Sequence, residues 1–158
     1  MISRRRLARD EAIQKIRHYC NYQNRCHVEV REKLYSFGLT KNLVEELLVQ
    51  MIEEKCLNEE RFAIAYAQGK FRMKKWGKVK IKNELKSRQV SSLCISSALA
   101  CINSDEYMET FQKLAARRME SLKDEKNGFV KKRKLQDYLL QKGYEASLIH
   151  KIISDQGR

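Results

Sequence analysis

A run of basic residues in the middle of the chain has the composition of an anion-binding surface. The segment KFRMKKWGKVKIK, residues 70–82, holds seven basic residues in thirteen positions, with one tryptophan and no acid. Lysine and arginine neutralise phosphates, and an aromatic ring in a basic groove can stack on an unpaired base. The segment therefore predicts contact with a polyanion.

Like charges three or four residues apart repel by a few tenths of a kcal/mol, so a helix face that carries only bases is more typical of a binding surface. A solvated helix face is the alternative, and the tryptophan could instead close a corner between two helices as part of the core. The predicted binding residues are Lys70, Arg72, Lys74, Lys75, Trp76, Lys78, Lys80, Lys82, Lys86 and Arg88. A predicted secondary basic patch comprises Arg117, Arg118, Lys131, Lys132, Arg133 and Lys134, and the N-terminus adds Arg4, Arg5, Arg6 and Arg9.

The charge of the whole chain narrows the classes of partner. There are 33 Lys and Arg against 20 Asp and Glu, a formal net charge of +13, which favours nucleic acid, an anionic membrane or an acidic protein. A membrane surface would require large apolar residues opposite the lysines, and only Trp76, Val79 and Ile81 could serve. We therefore expect no membrane partner.

Two groups of residues have types that metal binding uses. His18, Cys20, Cys26 and His27 could ligate zinc, but they lack the usual paired spacing, and Cys20 falls on an apolar helical stripe. The acid pairs Glu53–Glu54 and Glu59–Glu60 point about 100° apart on a helix, so neither pair converges on a magnesium ion. Phosphate-binding loop and zinc-protease motifs are absent from the sequence. We expect no enzyme activity, no metal and no cofactor.

The five cysteines and the N-terminal sequence bear on the compartment. No apolar run has the length of a membrane span or a signal peptide, so we expect a cytoplasmic protein with reduced thiols. Cys94 and Cys101 lie seven residues apart, which predicts one helical face and two small core residues.

An apolar pattern that occurs three times predicts the elements that position these residues. Leu34, Gly38, Leu39, Leu43, Val44, Leu47 and Leu48 correspond, at an offset of 51, to Leu85, Gln89, Val90, Cys94, Ile95, Ala98 and Leu99. A further offset of 54 leads to Leu139, Gly143, Tyr144, Leu148, Ile149, Ile152 and Ile153, and the same offsets relate Val30, Ile81 and Leu135. Such a period indicates tandem repeats of about 50 residues.

Each repeat predicts three helices. The chain has no proline and is rich in helix formers, so the fold class is all-α. A long helix opens each copy, at about 9–21, 59–75 and 105–122, with Asn58 and Ser104 as N-caps of the second and third. A helix pair joined by a turn at Gly38, Gln89 or Gly143 follows. We expect repeats at 1–57, 58–103 and 104–158, stacked into an elongated, curved molecule.

The segment LNEERFAIAYAQGKFRMKKWGKVKIKNELKSRQV, residues 57–90, resembles the RecX regulatory proteins of bacteria. That family has an acidic turn, an Arg-Phe-Ala helix start, a basic run, a glycine, an isoleucine and an acid-Leu pair. The counterparts are Glu59, Glu60, Arg61, Phe62, Ala63, Gly77, Ile81, Glu84 and Leu85. Gln89 stands where the family usually has glycine, while the length and the repeats extend the likeness to nearly the whole chain from about Ile13.

The resemblance implies a modulator of the RecA recombinase in recombinational DNA repair and the SOS response. Such a protein lodges against the RecA filament on single-stranded DNA, restrains its growth or ATPase activity, and touches DNA, with double-stranded DNA a further candidate. We expect a monomer. Two other functions stay open: a helix-turn-helix reader of double-stranded DNA, although the second helices are acidic or nearly neutral, and a helical scaffold that binds protein only.

Overall fold

Helices account for the regular structure of residues 5–156, the part of the chain that the computed structural model describes. Nine α-helices and no strand occur in this range. They are α1 Arg9–Tyr22, α2 His27–Ser36, α3 Lys41–Glu53, α4 Glu59–Lys74, α5 Lys78–Ser87, α6 Ser92–Ala100, α7 Ser104–Ser121, α8 Gly128–Lys142 and α9 Ala146–Gln156. The predicted all-α fold of three-helix repeats is confirmed, and Arg4 lies outside the described residues.

Asparagine side chains begin the long helices of the second and third copies. The Asn58 side-chain oxygen accepts the Arg61 backbone N–H at 2.8 Å, as predicted. The prediction of Ser104 as the next N-cap is wrong, because the Asn103 side chain accepts the Glu106 N–H at 3.0 Å and Ser104 is already helical. Two good cap residues are adjacent there, and asparagine one position earlier reaches the free N–H of the first turn.

The turn between the second and third helix of each repeat is left-handed. Its backbone φ is +79° at Gly38, +60° at Gln89 and +95° at Gly143, which confirms the three predicted turns. Glycine adopts this region freely, whereas a side chain costs roughly 1–2 kcal/mol. The repeat thus imposes its turn on Gln89 despite that cost.

Five of the seven equivalent apolar positions have similar burial in all three repeats, whereas Leu47 and Leu48 are buried and their third-repeat counterparts Ile152 and Ile153 are half-buried. The positions buried in every copy are Val30, Ile81 and Leu135; Leu34, Leu85 and Leu139; Leu39, Val90 and Tyr144; and Val44, Ile95 and Ile149. Leu43, Cys94 and Leu148 are half-buried in every copy. The same face of each helix pair is therefore packed inward.

Cys101 departs from the core position predicted for it. Cys94 is half-buried and Cys101 is exposed. Because α6 ends at Ala100, Cys101 falls in the turn that follows the helix and leaves its apolar face.

The helices divide between two compact units. The first unit comprises the chain up to Ala65 together with Leu85–Ser97, and the second comprises Tyr66–Glu84 together with the chain from Ala98 onward. Consequently α4, α5 and α6 each contribute one end to either unit. The segments 1–57, 58–103 and 104–158 stay a prediction as repeat units.

Three acids of the first unit pair with arginines of the same unit. Its core is built from α1, α2 and α3, with Ile16, Leu34 and Leu47 fully buried. On its surface Arg9 pairs with Glu46 at 2.6 Å, Arg31 with Glu45 at 2.9 Å and Arg17 with Glu54 at 2.6 Å. Hydrogen bonds from Arg17 and then Gln50 lower the pKa of Glu54 to about 2. Glu45, Glu46 and Glu54 are therefore each paired with an arginine of the same unit.

Replacing Gln89 by glycine tests the turn. Gln89→Gly removes the left-handed strain, so we expect the free energy of unfolding to rise by about 0.5–1 kcal/mol after the added entropy of the unfolded chain is counted. Gln136→Gly, at an exposed position inside α8, is the matched control and should lower it by about 0.5–1 kcal/mol. Urea unfolding measures both, and equal losses in the two variants would contradict the left-handed turn.

Candidate nucleic-acid interface

The turn from α4 to α5 carries the centre of the basic run. α4 ends at Lys74, and Lys75 is left-handed with φ +60°. The Lys75 N–H donates to the Phe71 carbonyl at 3.0 Å and the Trp76 N–H to the Lys70 carbonyl at 3.4 Å, which caps the helix. Trp76 is half-buried at this cap, so it is not a core residue.

The first turn of α5 is hydrogen-bonded to the turn between α8 and α9, within the second unit. The Gly77 N–H donates to the Lys142 carbonyl at 2.8 Å and the Val79 N–H to the Gly143 carbonyl at 2.9 Å. A Cβ at Gly77 would lie 2.3 Å from the Gly143 oxygen, so only glycine permits this approach. These bonds satisfy N–H groups that a helix start leaves free.

Two buried tyrosines fix the backbone on both sides of Trp76. The Tyr107 hydroxyl accepts the Lys78 N–H at 2.9 Å and donates to Glu145 at 2.5 Å, and the Tyr144 hydroxyl donates to the Lys75 carbonyl at 2.8 Å. Burial raises the pKa of both hydroxyls above the ordinary tyrosine value, and Glu145 adds to the effect. Both groups therefore stay protonated and able to donate.

Three lysine side chains gather around the indole of Trp76. The Nζ atoms of Lys70, Lys74 and Lys80 lie 5.0, 5.6 and 4.7 Å from the Trp76 ring centroid. We call these four residues the Trp76 lysine cluster. Each cation–π contact contributes about 0.5–1 kcal/mol at an exposed site, which offsets the repulsion among the ammonium groups. The indole therefore holds positive charges together in one place.

The cluster carries uncompensated charge. Within residues 5–156, no carboxylate lies within ion-pair distance of the lysines at 70, 74, 75, 78, 80 and 82. Lys142 adds a further cation, with its Nζ 3.4 Å from the Lys74 carbonyl. Four ammonium groups thus belong to one small region of the second unit.

The remaining residues of the predicted site lie in different surroundings. Arg72, Lys75 and Lys82 are exposed, and the Nζ of Lys75 donates to the Arg72 carbonyl at 2.9 Å. The Nζ of Lys78 lies 5.0 Å from the Tyr107 ring centroid instead of the indole. Lys86 and Arg88 belong to the first compact unit.

The predicted secondary patch is partly engaged within the protein. Arg118 lies over Tyr138, 5.5 Å from its ring centroid, and Lys134 pairs with Glu125 at 3.3 Å. The exposed members are Arg117, Lys132, Arg133 and Lys134, while Lys131 is half-buried. Among residues 5–156, Lys134 is the one member of this patch with an acid partner, and Arg118 is held against an aromatic ring.

The zinc-type residues near the end of α1 do not form a shared site. Cys20 is buried in the core of the first unit, where burial raises the pKa of its thiol to about 11, and His18 is exposed. Across residues 5–156 there is no group of three or more His, Cys, Asp or Glu side chains placed to hold a metal ion. In the same range no helix is both long and apolar enough to cross a membrane.

Family models match two of the three repeats. The model for the second three-helix domain of RecX matches residues 58–99, and the model for the third matches residues 105–153. Two crystal structures share the fold over 93% of this chain, both with a TM-score of 0.82. One is a regulatory protein RecX at 20% identity, of which 71% is covered, and the other is RecX from Lactobacillus salivarius at 22% identity, of which 95% is covered.

Curated relatives give the same result. A regulatory protein RecX from Halalkalibacterium halodurans is 30% identical over 139 residues, which are 87% of this chain and 52% of the relative. Another from Clostridium tetani is 28% identical over 134 residues, which are 82% of this chain and 61% of the relative. This chain therefore spans between half and two thirds of the length of these relatives. The chain belongs to the RecX family.

The glycine at the α4–α5 turn provides a test of the site's construction. We expect Gly77→Ala to lower the free energy of unfolding by about 1–3 kcal/mol, because the methyl group overlaps the Gly143 carbonyl. We also expect a red shift in the fluorescence of Trp76, the sole tryptophan, as the turn loosens.

Gly69→Ala is the matched control, because an added Cβ meets nothing within 4 Å and the position is inside α4. It should raise stability by about 1 kcal/mol and leave the emission unchanged. Normal stability and emission in Gly77→Ala would contradict the close approach.

Proposed function

We propose that this chain modulates the RecA recombinase filament on single-stranded DNA by inhibition, as a binding protein and not as an enzyme. The relatives it matches are named regulatory proteins, which supports a regulatory role. The observation that carries the proposal is the Trp76 lysine cluster, whose ammonium groups have no acid partner in the described chain. The proposal includes a monomer acting in the cytoplasm, without a cofactor, in recombinational DNA repair and the SOS response.

The clustered ammonium groups of the Trp76 lysine cluster are more stable in contact with a phosphate backbone than in water alone. Bringing ammonium groups together costs energy, and contact with phosphates releases counterions and removes that cost. The turn that carries the cluster is held by backbone hydrogen bonds and by the two tyrosine hydroxyls, so little conformational freedom is lost on binding. In the proposed interface Arg72, Lys75, Lys78 and Lys82 flank the cluster. Lys86, Arg88 and the secondary patch are candidate further contacts with DNA or the filament.

The alternative function, a helix-turn-helix protein that reads the sequence of double-stranded DNA, receives less support. A recognition helix needs side chains that reach base edges, typically arginine, asparagine or glutamine. α6, the last helix of the second repeat, has the sequence SLCISSALA and bears none of these. α3 carries Asn42, Gln50 and three acids. The third possibility, a scaffold that binds protein only, predicts no shift of a labelled oligonucleotide at low salt.

The rate of ATP hydrolysis by RecA on single-stranded DNA tests the proposal directly. Addition of this protein at near-equimolar amounts should lower the rate, because a restrained filament contains fewer active subunits. A heat-denatured sample of the same protein is the control. An unchanged rate would overturn the proposal.

Charge reversal of Lys70, Lys74 and Lys80 to glutamate tests the interface. We expect affinity for a single strand to fall about 100-fold at 0.1 M salt, as the loss of three counterion-releasing contacts predicts. If these three lysines and Lys142 each neutralise one phosphate, the log-log salt slope should be about −2.8 in the wild type and about −0.7 in the variant. Affinity for RecA-coated strands should fall as well.

The control is a variant with the same change of net charge, in which the exposed Lys41, Lys113 and Lys151 become glutamate. It should keep most of the affinity, and both variants should unfold near the wild-type temperature. Equal weakening in the two variants would mean that total charge, and not the cluster, governs binding.

A further inference from the structure

The first unit contains an open groove between α1 and α2 that the proposed function does not use. Its volume is about 600 Å³, within the range of small-ligand sites. The wall combines four aromatic rings with three cations: Tyr19, Tyr22, Phe37, His18, Lys15, Arg25 and Lys33. None of the described residues that line it is acidic. We call it the α1–α2 groove.

The groove presents flat surfaces of two kinds. The guanidinium carbon of Arg25 lies 3.7 Å above the Tyr19 ring centroid, and its Nε donates to the Tyr19 carbonyl at 3.1 Å, which fixes a planar cation on a planar ring. Tyr22 keeps 75% of its surface exposed at the edge of the groove. Aromatic rings and guanidinium planes are the surfaces on which unpaired bases stack.

The positive charge of the groove is available to a ligand. The Nζ of Lys33 lies 5.4 Å from the Tyr19 centroid and 5.8 Å from that of Phe37, with no carboxylate partner in residues 5–156. Lys15 has only a long, exposed pair with Glu11 at 3.7 Å, which binds weakly. Burial raises the pKa of Tyr19, so its hydroxyl adds no negative charge at neutral pH.

We propose that the α1–α2 groove binds an unpaired nucleotide of a single strand, with the base stacked on Tyr22 and the phosphate held by Lys33 and Arg25. The site is separate from the Trp76 lysine cluster and lies in the other compact unit. The inference rests on the proposed function only in taking single-stranded DNA as the physiological ligand. It assigns one base and its phosphate to the first repeat, and further phosphate contacts to the basic run.

A nucleotide fits the lining better than an acidic peptide does. Carboxylates would use the cations alone and leave Tyr22 and the stacked Arg25 plane without a role. A nucleotide offers a planar apolar base and an anion a few ångströms apart, which matches a wall that combines aromatic rings with cations. A groove on α3, by contrast, is lined by Glu45, Glu46 and Glu53 and would repel either ligand.

The test compares a twelve-residue oligothymidylate with an abasic strand of equal length and charge, using the full chain without RecA. The wild type should bind oligothymidylate about 10-fold more tightly, the value for one stacked base. Tyr22→Ser should abolish most of this preference, and Tyr22→Phe, which keeps the ring, should retain it. Tyr35→Ser, at an exposed tyrosine that does not line the groove, should also retain it.

Photocrosslinking with 5-iodouracil in the strand locates the contact. Crosslinks at Tyr22 or Tyr19, found by mass spectrometry, are expected. Crosslinks confined to other residues, or an unchanged preference in Tyr22→Ser, would overturn the inference. A polyglutamate peptide that loses affinity in Lys33→Gln, while the oligothymidylate does not, would assign the groove to acidic protein and overturn it as well.

The outcome is independent of the effect on RecA. A preference for bases that depends on Tyr22, together with an unchanged rate of ATP hydrolysis by RecA, would sink only the proposed function. Inhibition of RecA without any preference for bases would sink only the groove.

Discussion

The basic surface depends on one steric condition, the missing Cβ at Gly77. Without a side chain there, the start of α5 approaches the α8–α9 turn closely enough for three backbone hydrogen bonds. That approach fixes the direction of α5 and therefore the position from which Lys80 reaches the indole of Trp76. The lysines supply the positive charge, and Gly77 allows the backbone approach that brings the Lys80 ammonium group to the Trp76 ring beside those of Lys70 and Lys74. A methyl group at this position would separate two segments about 65 residues apart in sequence.

The glutamates of the first unit and the lysines around Trp76 have different kinds of partner in the fold. Glu45, Glu46 and Glu54 are neutralised by arginines of their own unit, so they do not reduce the field of the basic run through direct pairing. The lysines around Trp76 have contacts with aromatic rings and with backbone carbonyls instead of acids. Carbonyl and ring contacts orient an ammonium group without cancelling its charge. Such a surface attracts anions over a distance of about one Debye length, near 10 Å at 0.1 M salt.

Local sequence rules predicted the repeated elements well and the tertiary contacts poorly. The period of the apolar residues predicted the helices, most of their inward faces and the position of the turn at Gln89, because each of these depends on neighbours within a few positions. The left-handed conformation of Gln89 was not predicted. Lys142, Tyr107 and Tyr144 were missed as parts of the site because they reach it from other helices. Gly77 and Gly143 were the available signal, yet a pair of glycines does not by itself specify that they meet. Cys101 was misplaced because a face was extended past the end of its helix.

The sharing of α4, α5 and α6 between the two compact units has a consequence for cooperativity. A helix that loses one end also loses the hydrogen bonds that propagate through the adjoining turn, and starting a new helix costs more than extending an old one. Fraying in either unit would therefore shorten α4, α5 and α6, the three helices that the two units share. Amide hydrogen exchange along these three helices should then report a single opening event.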